Sequence, residues 1–517
     1  MKSYHLIVEP EIGFDFEALE GHLRRKGYLS EGQYYTVQRR STDARQRDIK
    51  INLMVDVNDK PFEVAYLEYK RPTPLSVHSE PVIIVGAGPS GLFAALKAID
   101  LGFKPIVIER GKDVKGRRRD ISAINKHHIV NPESNYCFGE GGAGTFSDGK
   151  LYTRSKKRGN VRRIYEILVA HGATEDILFE SHPHIGTNKL PNIVQSLRET
   201  IIDLGGEIHF NSKVTNLVIS KGEVTGVELN EKERVSARKV ILATGHSARD
   251  IFYLLHQKQI LLEAKPFALG VRVEHPQSLI DQIQYHRTHR GKYLPASAYS
   301  LAQSVQTKYV QRGVFSFCMC PGGFIVPSAT SEGELVVNGM SPSKRNSKFA
   351  NSGIVATVGR ADIPNFRKYG ELCFLEIQKQ VENLAWKAGG RRQTAPAQRL
   401  VDFVENKESS TLPATSYPPG LTSVNMKDIL PPYITKGLRT AFQAFGKKMK
   451  GYLTNEAQII GIESRTSSPV RIPRNENFQH PQIKGLFPCG EGAGYAGGIV
   501  SAAIDGEKCA AALITSP

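Results

Sequence analysis

The feature that most constrains the fold is an apolar strand that runs into a glycine turn and then into a helix. Residues 81–85 are PVIIV, residues 86–91 are GAGPSG, and residues 92–102 are LFAALKAIDLG. A buried strand and a crossover helix explain this pattern better than a membrane span, because glycines, a proline and two charged residues interrupt it. A second apolar strand, PIVIER, follows at 105–110. The segment therefore predicts an α/β fold with a parallel sheet.

The pattern G-x-G-x-x-G occurs three times, starting at Gly86, Gly139 and Gly492. Only the first copy follows an apolar strand, opens a helix directly and has an acidic residue, Glu109, at the end of the next strand. Its first glycine permits a tight turn, its second lets backbone approach a pyrophosphate, and its third lets the helix pack on the strand. This copy therefore predicts a dinucleotide site, with the pyrophosphate at the helix N-terminus and Glu109 on the ribose hydroxyls.

The C-terminal segment favours FAD over NAD as the dinucleotide, because FAD is longer and its flavin end needs a second set of contacts. Gly490 and Glu491 end a strand, so the carboxylate can face ribityl or ribose hydroxyls. Gly497 and Gly498 then start the helix IVSAAIDGEKCAAALI, whose dipole can stabilise negative charge at the N1/O2 edge of the flavin. Ordinary capping of the helix by glycine is the alternative interpretation.

Changes in pattern divide the chain into four predicted segments. Residues 1–78 indicate a small α+β domain, because strand-like stretches flank DFEALEGHLRRKG, whose apolar residues have helical spacing. Residues 79–254 and 446–517 predict the two parts of an FAD-binding Rossmann-like domain. Residues 255–445 contain short strands and loops rich in Ser, Pro and Gly, and they predict an inserted α+β substrate domain.

Composition adds weaker constraints on partners and location. Lys and Arg number 68 against 51 Asp and Glu, a net charge of +17, and basic residues crowd the segment 39–50. This balance suits a nucleic acid or an anionic small-molecule substrate, although a solvated basic surface is the favoured alternative. The N-terminus has no signal- or transit-peptide pattern and no segment reads as transmembrane, so we expect a cytoplasmic protein.

The six cysteines predict neither a metal site nor a disulfide framework. None has zinc-ligand spacing, and no C-x-x-C pair occurs. Cys318 and Cys320 form a C-x-C pair, and strand alternation would place both side chains on the same face. We expect these two residues to be buried small hydrophobes rather than a redox pair.

Longer motifs carry a resemblance to known flavoproteins. GAGPSG with Glu109 and Arg110, ATG at 243–245 and GEGAGYAGG at 490–498 resemble the glutathione-reductase-type FAD fold. The likeness is closer to its single-Rossmann branch, which includes aromatic hydroxylases, geranylgeranyl reductases and fumarate-reductase-like flavoproteins. Three further motifs resemble a bacterial and plastid family of FAD-dependent dehydrogenases over nearly the whole chain, without implying a substrate: FGEGGAGTFSDGKLYT at 138–153, ESRTSSPVRIPR at 463–474 and RRSTDAR at 39–45.

The resemblance implies which residues bind FAD. On the ADP side they are Gly86, Gly88, Pro89, Ser90, Gly91, Glu109, Arg110 and the backbone at Val214. Towards the pyrophosphate and the flavin they are Gly142, Gly144, Thr145, Thr244, Gly245, Gly490, Glu491, Gly497, Gly498 and Ile499. The run GKDVKGRRRD after Arg110 departs from the Gly-Gly that hydroxylases usually have there.

The candidate catalytic residues are Lys150, His246 and Arg465. Lys150 follows the middle glycine motif, and a lysine near the flavin can stabilise a reduced anion. His246 follows the ATG motif and can exchange a proton near neutrality, although an isolated histidine is more often structural. Arg465 can pair with a substrate carboxylate or phosphate, but a surface pair with Glu463 is an equal alternative.

These observations favour an FAD-dependent dehydrogenase or reductase that passes hydride through flavin N5 to or from a small molecule. No second strand, glycine turn and acidic residue predicts another dinucleotide domain, so NADPH or NADH would visit the flavin transiently. Two alternatives remain open. The charge and the N-terminal segment suit an FAD-dependent RNA-modifying or RNA-binding protein, and the FAD of any such chain can be structural or sensory.

Overall fold

A computed structural model describes residues 1–62, 70–153, 159–306 and 310–514 of the protein. The N-terminal unit is a three-stranded antiparallel sheet whose one face is covered by a helix. Asp15 caps that helix by accepting hydrogen bonds from the amides of Glu17 and Ala18, each at 3.1 Å. The elements are β1 (Lys2–Val8), α1 (Pro10–Gly13), α2 (Phe16–Arg25), β2 (Tyr34–Asp43) and β3 (Lys50–Asn58), and the strand order is β1–β3–β2.

Strand β2 attaches the N-terminal unit to the rest of the chain. The guanidinium of Arg40 lies 2.6 Å from the Glu180 carboxylate and stacks over the rings of Phe14 and Phe179. The amide of Arg40 donates to the Phe179 carbonyl at 2.9 Å, and the amide of Ser181 donates to the Arg40 carbonyl at 3.0 Å. The contact therefore combines backbone pairing, a buried ion pair and cation–π stacking.

The glycine turn predicted after residue 85 joins β4 to α3, as the strand–turn–helix pattern requires. Helix α3 is buried along most of its length, which explains its nearly continuous apolar sequence. The elements of this part are β4 (Pro81–Val85), α3 (Pro89–Asp100), β5 (Lys104–Ile108), α4 (Val114–His127), α5 (Val161–Ala170), α6 (Leu190–Asp203), β6 (Glu207–His209), β7 (Val214–Ser220), β8 (Glu223–Leu229), β9 (Glu233–Ser236), β10 (Val240–Leu242) and α7 (Arg249–Gln257).

The middle of the chain forms a large, mainly antiparallel sheet whose apolar core is packed by helices. The elements of this region of the chain are β11 (Glu263–Ala264), β12 (Phe267–Pro276), α8 (Gln277–Tyr285), β13 (Ala302–Gln306), β14 (Gln311–Pro327), β15 (Val337–Met340), β16 (Phe349–Val358), α9 (Cys373–Ala388), β17 (Ala395–Arg399), α10 (Leu400–Glu405), β18 (Leu421–Ser423), α11 (Pro432–Lys448) and β19 (Gln458–Glu463). All of these strands except β11 belong to the large sheet. The strand order is β13–β14–β16–β12–β19–β17–β18, with β15 on β14. Because β19 lies inside this sheet, the sheet continues past residue 445, where the sequence pattern placed a boundary.

The C-terminal segment returns to the parallel sheet. It contains β20 (Val470–Arg471), which pairs with β11, then β21 (Leu486–Pro488) and α12 (Ile499–Ala511). The parallel sheet has the order β21–β10–β4–β5–β6, so the last strand of the chain lies two strands from the glycine turn. Helix α12 packs against α3, and an added Cβ at Gly506 would lie 2.1 Å from the Ser90 carbonyl oxygen. The two helices approach this closely only because residue 506 has no side chain.

We expect Arg40→Ala to lower the free energy of unfolding by about 1–3 kcal/mol, because it leaves Glu180 without its partner and removes packing against two rings. Urea denaturation and the rate of proteolysis within residues 1–58 measure the effect. The control is Arg45→Ala, whose side chain is 88% exposed in its pair with Asp43, and we expect no change in stability there. Equal stability of the two variants would show that Arg40 does not hold the N-terminal unit in place.

Candidate functional site

A cavity of about 360 Å³ lies where three parts of the chain meet: the unit built on the parallel sheet β21–β10–β4–β5–β6, the large middle sheet and the C-terminal segment. Small-molecule sites have volumes of roughly 300–1,000 Å³, so this volume is within their range. Helix α3 begins at Pro89 and α12 begins at Ile499, and both residues line this cavity. The first amides of a helix have no partner within the helix, and its dipole is positive at that end. The convergence of two such ends makes the cavity suited to a phosphate-bearing or electron-rich ligand.

Most of the residues predicted from the sequence line this cavity. The cavity-lining cofactor candidates are Gly86, Gly88, Pro89, Ser90, Glu109, Arg110, Gly142, Gly144, Val214, Thr244, Gly245, Glu491, Gly497, Gly498 and Ile499. The catalytic candidates Lys150, His246 and Arg465 also line it. The three remaining candidates, Gly91, Thr145 and Gly490, are not among its lining residues. An added Cβ at Gly91 would lie 1.9 Å from the Gly86 carbonyl, so that glycine serves the turn itself.

Glu109 holds the glycine turn in place through its own hydrogen bonds. Its carboxylate accepts from the amides of Ala87, Gly111 and Gly139, each at 2.9 Å. A carboxylate has about four acceptor positions, so these bonds leave one for a ribose hydroxyl. The sequence indicated only the ribose contact, and the structure adds a role in ordering three separate segments.

Arg117 is a residue that the sequence analysis missed. It is fully buried, and its guanidinium donates to the carbonyls of Asn135, Tyr136, Glu140 and Gly142 at 2.6–3.2 Å. Burial lowers the pKa of Arg117 to about 10. The guanidinium therefore fixes the loop that carries the second glycine motif. The run GRRRD gave no signal for this, because a basic run is usually a solvated surface.

Several cavity glycines fit a large ligand that touches the backbone. An added Cβ at Gly245, Gly497 or Gly498 would meet no atom within 4 Å, and at Gly88 it would meet only the Gly142 Cα at 3.9 Å. A side chain at these positions would therefore extend into open space at the cavity. The absence of side chains leaves open space beside the backbone, and two helix N-termini lie next to it.

Glu491 and His246 are neighbours in the cavity lining, and His246 Nε2 lies 3.8 Å from the Glu491 carboxylate. Burial raises the pKa of Glu491 to about 7, with Lys265 opposing the shift. Burial and the cations Arg465 and Arg249 lower the pKa of His246 to about 4. The imidazole is then neutral near pH 7, and the catalytic role of His246 stays a prediction. Glu491 is the member of this pair that titrates near pH 7.

Arg465 belongs to a buried ion network rather than to a surface pair. Its guanidinium lies 2.7 Å from Glu334 and 3.0 Å from Glu382, and Arg249 contacts the same two carboxylates at 2.7 and 2.8 Å. The alternative that paired Arg465 with Glu463 is wrong, because the fully buried Glu463 carboxylate accepts from Arg272 at 2.7 Å. Nη1 of Arg465 donates to Thr330, so all three nitrogens already have partners. Because each guanidinium nitrogen already has a partner, Arg465 affects the cavity through its positive charge in the lining.

The C-x-C pair does not follow strand alternation. The β14–β16 register shifts between Phe317 and Cys320, and Cys318 has a left-handed backbone with φ of 45°. Cys318 is consequently exposed, whereas Cys320 is buried, and both line the cavity. The expectation that both are buried is wrong for Cys318.

The C-terminal side of the cavity is fixed by Asp505 of α12. Its carboxylate accepts from the amide of Gly490 at 2.7 Å and forms a pair with Arg474 at 2.6 Å. This contact ties the loop that carries Glu491 to the helix that begins at Ile499. The two predicted flavin-side elements are therefore held together by a single buried acid.

Family models match three parts of the chain. Residues 266–466 match the C-terminal domain-like model of FAD-dependent proteins, residues 183–307 match an FAD dependent oxidoreductase model, and residues 1–58 match a domain of unknown function. An uncharacterized protein of Clostridium beijerinckii is 40% identical over 520 residues, which cover 97% of this chain and 96% of that protein. This chain belongs to the FAD-dependent oxidoreductase family. The oxidoreductase therefore uses FAD as its cofactor, and none of its described helices is long and apolar enough to cross a membrane.

Solved structures with some similarity include other flavoproteins. A geranylgeranyl bacteriochlorophyll reductase-like protein from Thermoplasma acidophilum is 14% identical, with a TM-score of 0.33 over 85% of this chain and 78% of that one. CtdE in complex with FAD is 12% identical, with a TM-score of 0.31 over 83% of this chain and 82% of that one. At these identities and scores, neither protein bears on what this oxidoreductase acts on.

We expect Gly88→Ala to yield a folded protein that binds FAD at least about tenfold more weakly. Its backbone, with φ of −76° and ψ of −177°, accepts alanine, while the new methyl group enters the cavity. Circular dichroism measures folding, and flavin absorbance after dialysis measures retention. The control is Gly313→Ala in β14, where the nearest atom to an added Cβ is 3.8 Å away. Full FAD retention by Gly88→Ala would exclude a close backbone contact at this turn.

Proposed function

We propose that the oxidoreductase binds FAD in the extended, glutathione-reductase-type arrangement and transfers hydride between the flavin and a small molecule. The observation that carries this proposal is the convergence of the N-termini of α3 and α12 on one cavity. One helix end suits a pyrophosphate, and the other suits the negative charge that a flavin acquires on reduction. The strands that lead to these helices, β4 and β21, lie on either side of β10 in one sheet, which suits one long dinucleotide.

The ADP half of FAD would lie along the glycine turn and β5. The amides at the start of α3, beside Gly88 and Ser90, would donate to the pyrophosphate. The remaining acceptor position of Glu109 would take a ribose hydroxyl, and the backbone at Val214 would contact the adenine. The side chain of Arg110 is already paired with Glu133 and Asp250, at 2.6 and 2.9 Å, so it would shape this end of the site without binding phosphate.

The flavin half would lie between the 142–144 turn and the start of α12. Gly497 and Gly498 leave the first amides of α12 open to the cavity, so these amides would donate to the pyrimidine edge of the ring. When bound, FAD supplies the position that accepts or releases hydride. Lys150 would place a positive charge beside that position. Its ammonium now donates to the Met319 carbonyl and lies 3.8 Å from the Asp148 carboxylate.

Glu491 would hold the proton that the site needs near neutral pH. A carboxyl whose pKa is about 7 is protonated for part of the time at neutrality and can donate or accept. His246 would remain a neutral neighbour. The buried network around Arg465 would keep His246 neutral by placing two guanidinium groups near it. Glu491 and His246 would therefore determine which groups beside the flavin carry a proton, and neither would take part in the hydride transfer itself.

We also propose NADPH or NADH as the electron donor, visiting the flavin transiently. Anaerobic visible spectra of the purified protein before and after each nucleotide test both proposals. We expect a flavin band that bleaches with one of the two nucleotides. A flavin band that neither nucleotide bleaches would exclude this donor and favour a substrate, a protein donor or a structural flavin. A purified protein without flavin would contradict the proposed cofactor site.

We expect the midpoint potential of the bound flavin to fall more steeply through pH 7 in the native protein than in Glu491→Gln. Below its pKa of about 7 the Glu491 carboxyl is neutral, and above it the carboxylate opposes negative charge on the reduced flavin. Spectroelectrochemical titration from pH 6 to 8 measures the difference. His246→Asn should keep the native pH dependence, because that imidazole is neutral throughout this range. Identical curves for the native protein and Glu491→Gln would show that Glu491 does not titrate beside the flavin.

A further inference from the structure

Two short paired segments border one end of the cavity, where Tyr152 is exposed. Residues 150–152 pair with residues 182–184: Lys150 and His184 form an antiparallel bridge, and the amide of Leu151 donates to the Pro183 carbonyl at 2.9 Å. Alternation places Lys150 and Tyr152 on the same face of their segment. Both line the cavity, and the Tyr152 ring centroid lies 5.0 Å from that of His182. We define this end of the cavity, at Lys150, Tyr152 and His182, as the mouth.

The N-terminal unit reaches this mouth. The Nε of Arg39 donates to the Ser181 hydroxyl at 3.2 Å, next to His182. Arg39 is exposed and, within the described part of the chain, no carboxylate forms an ion pair with it, whereas its neighbour Arg40 is buried against Glu180. The docking of β2 through Arg40 thus places Arg39 next to Ser181 and His182. This placement gives the N-terminal unit a role that its fold alone does not suggest.

Cations outnumber anions at the mouth. Arg39, Lys150 and Arg345 contribute three positive charges, and Asp148, which pairs with Arg345 at 2.9 Å, contributes one negative charge. Burial lowers the pKa of His182, and the charges of Arg345 and Arg39 lower it further. A cleft with cations and low-dielectric walls concentrates anions and raises their association rates.

We infer that the mouth is an anion-binding entrance, and that the small molecule oxidised or reduced at the flavin carries a phosphate or a carboxylate group held by Arg39 and Lys150. The inference rests on the proposed function, because it takes the cavity to hold FAD. It assigns the N-terminal unit to substrate capture. The anionic group would remain at the mouth, and the group that reacts would lie deeper in the cavity.

The first test measures how fast two artificial reductants of opposite charge reduce the FAD-loaded, full-length protein. Dithionite is anionic and reduced methyl viologen is cationic, and anaerobic stopped-flow absorbance follows the flavin band. At low ionic strength we expect Arg39→Gln to slow reduction by dithionite about threefold or more and to accelerate reduction by methyl viologen. Arg39→Lys, which keeps the charge, should restore native rates.

The matched control is Arg25→Gln, which removes one exposed positive charge from the last turn of α2 in the same unit. We expect it to leave both rates unchanged. Equal dithionite rates in Arg39→Gln and Arg25→Gln would overturn the inference while leaving the proposed FAD site intact. A protein that purifies without flavin would overturn the proposed function, and the inference with it.

The second test asks whether the mouth holds an anion. At constant ionic strength, inorganic pyrophosphate or succinate should slow dithionite reduction of the native protein in a saturable way, and Arg39→Gln should weaken that effect severalfold. Slowing by pyrophosphate alone indicates a phosphate-bearing substrate, and slowing by succinate alone indicates a carboxylate. If neither anion slows the native protein, the mouth does not bind anions and the inference fails.

Discussion

The carboxylate of Glu109 accepts hydrogen bonds from amides that belong to three different segments, and the geometry of the site depends on it. Ala87 lies in the first glycine turn, Gly111 follows β5, and Gly139 opens the second glycine loop. Hydrogen bonds to an ionised acceptor are stronger than neutral ones, so the three segments are held in one arrangement. Arg117 performs the complementary task by donating to carbonyls of the second loop. The backbone geometry of both glycine loops is thus set by two buried polar side chains.

Buried charges also join the middle sheet to the parallel-sheet unit. Arg249 begins α7 next to the cavity, and it shares Glu334 and Glu382 with Arg465. Desolvating four ions is costly, and apolar residues in such places are often equally stable. The network therefore determines how the middle sheet is placed against the parallel sheet more than it raises the free energy of unfolding. Its effect on the cavity is local: together with burial, the two guanidinium groups of the network lower the pKa of His246.

The strong basic balance of the chain has a partial structural explanation. Adjacent residues of β2 have opposite roles, since Arg40 is buried in the contact with Glu180 while Arg39 remains exposed at the cavity mouth. Successive side chains of a strand point to opposite faces. Of two adjacent arginines, one can therefore hold the N-terminal unit in place while the other adds positive charge to its surface. The N-terminal unit thus contacts the segment at Phe179–Ser181 and leaves Arg39 exposed beside it.

The sequence by itself determined the strand–glycine turn–helix, the acidic residue after the second strand and the glycine-led C-terminal helix, because short-range sterics fix those patterns. Most of the site residues that it predicted also line the cavity. It did not predict the burial of Arg117, the partners of Arg465, the exposure of Cys318 or the titration of Glu491. Each of these depends on groups tens to hundreds of positions away, or on a bulge that breaks alternation. Only the tertiary structure decides them, because desolvation and ion pairing are set by what surrounds a group in space.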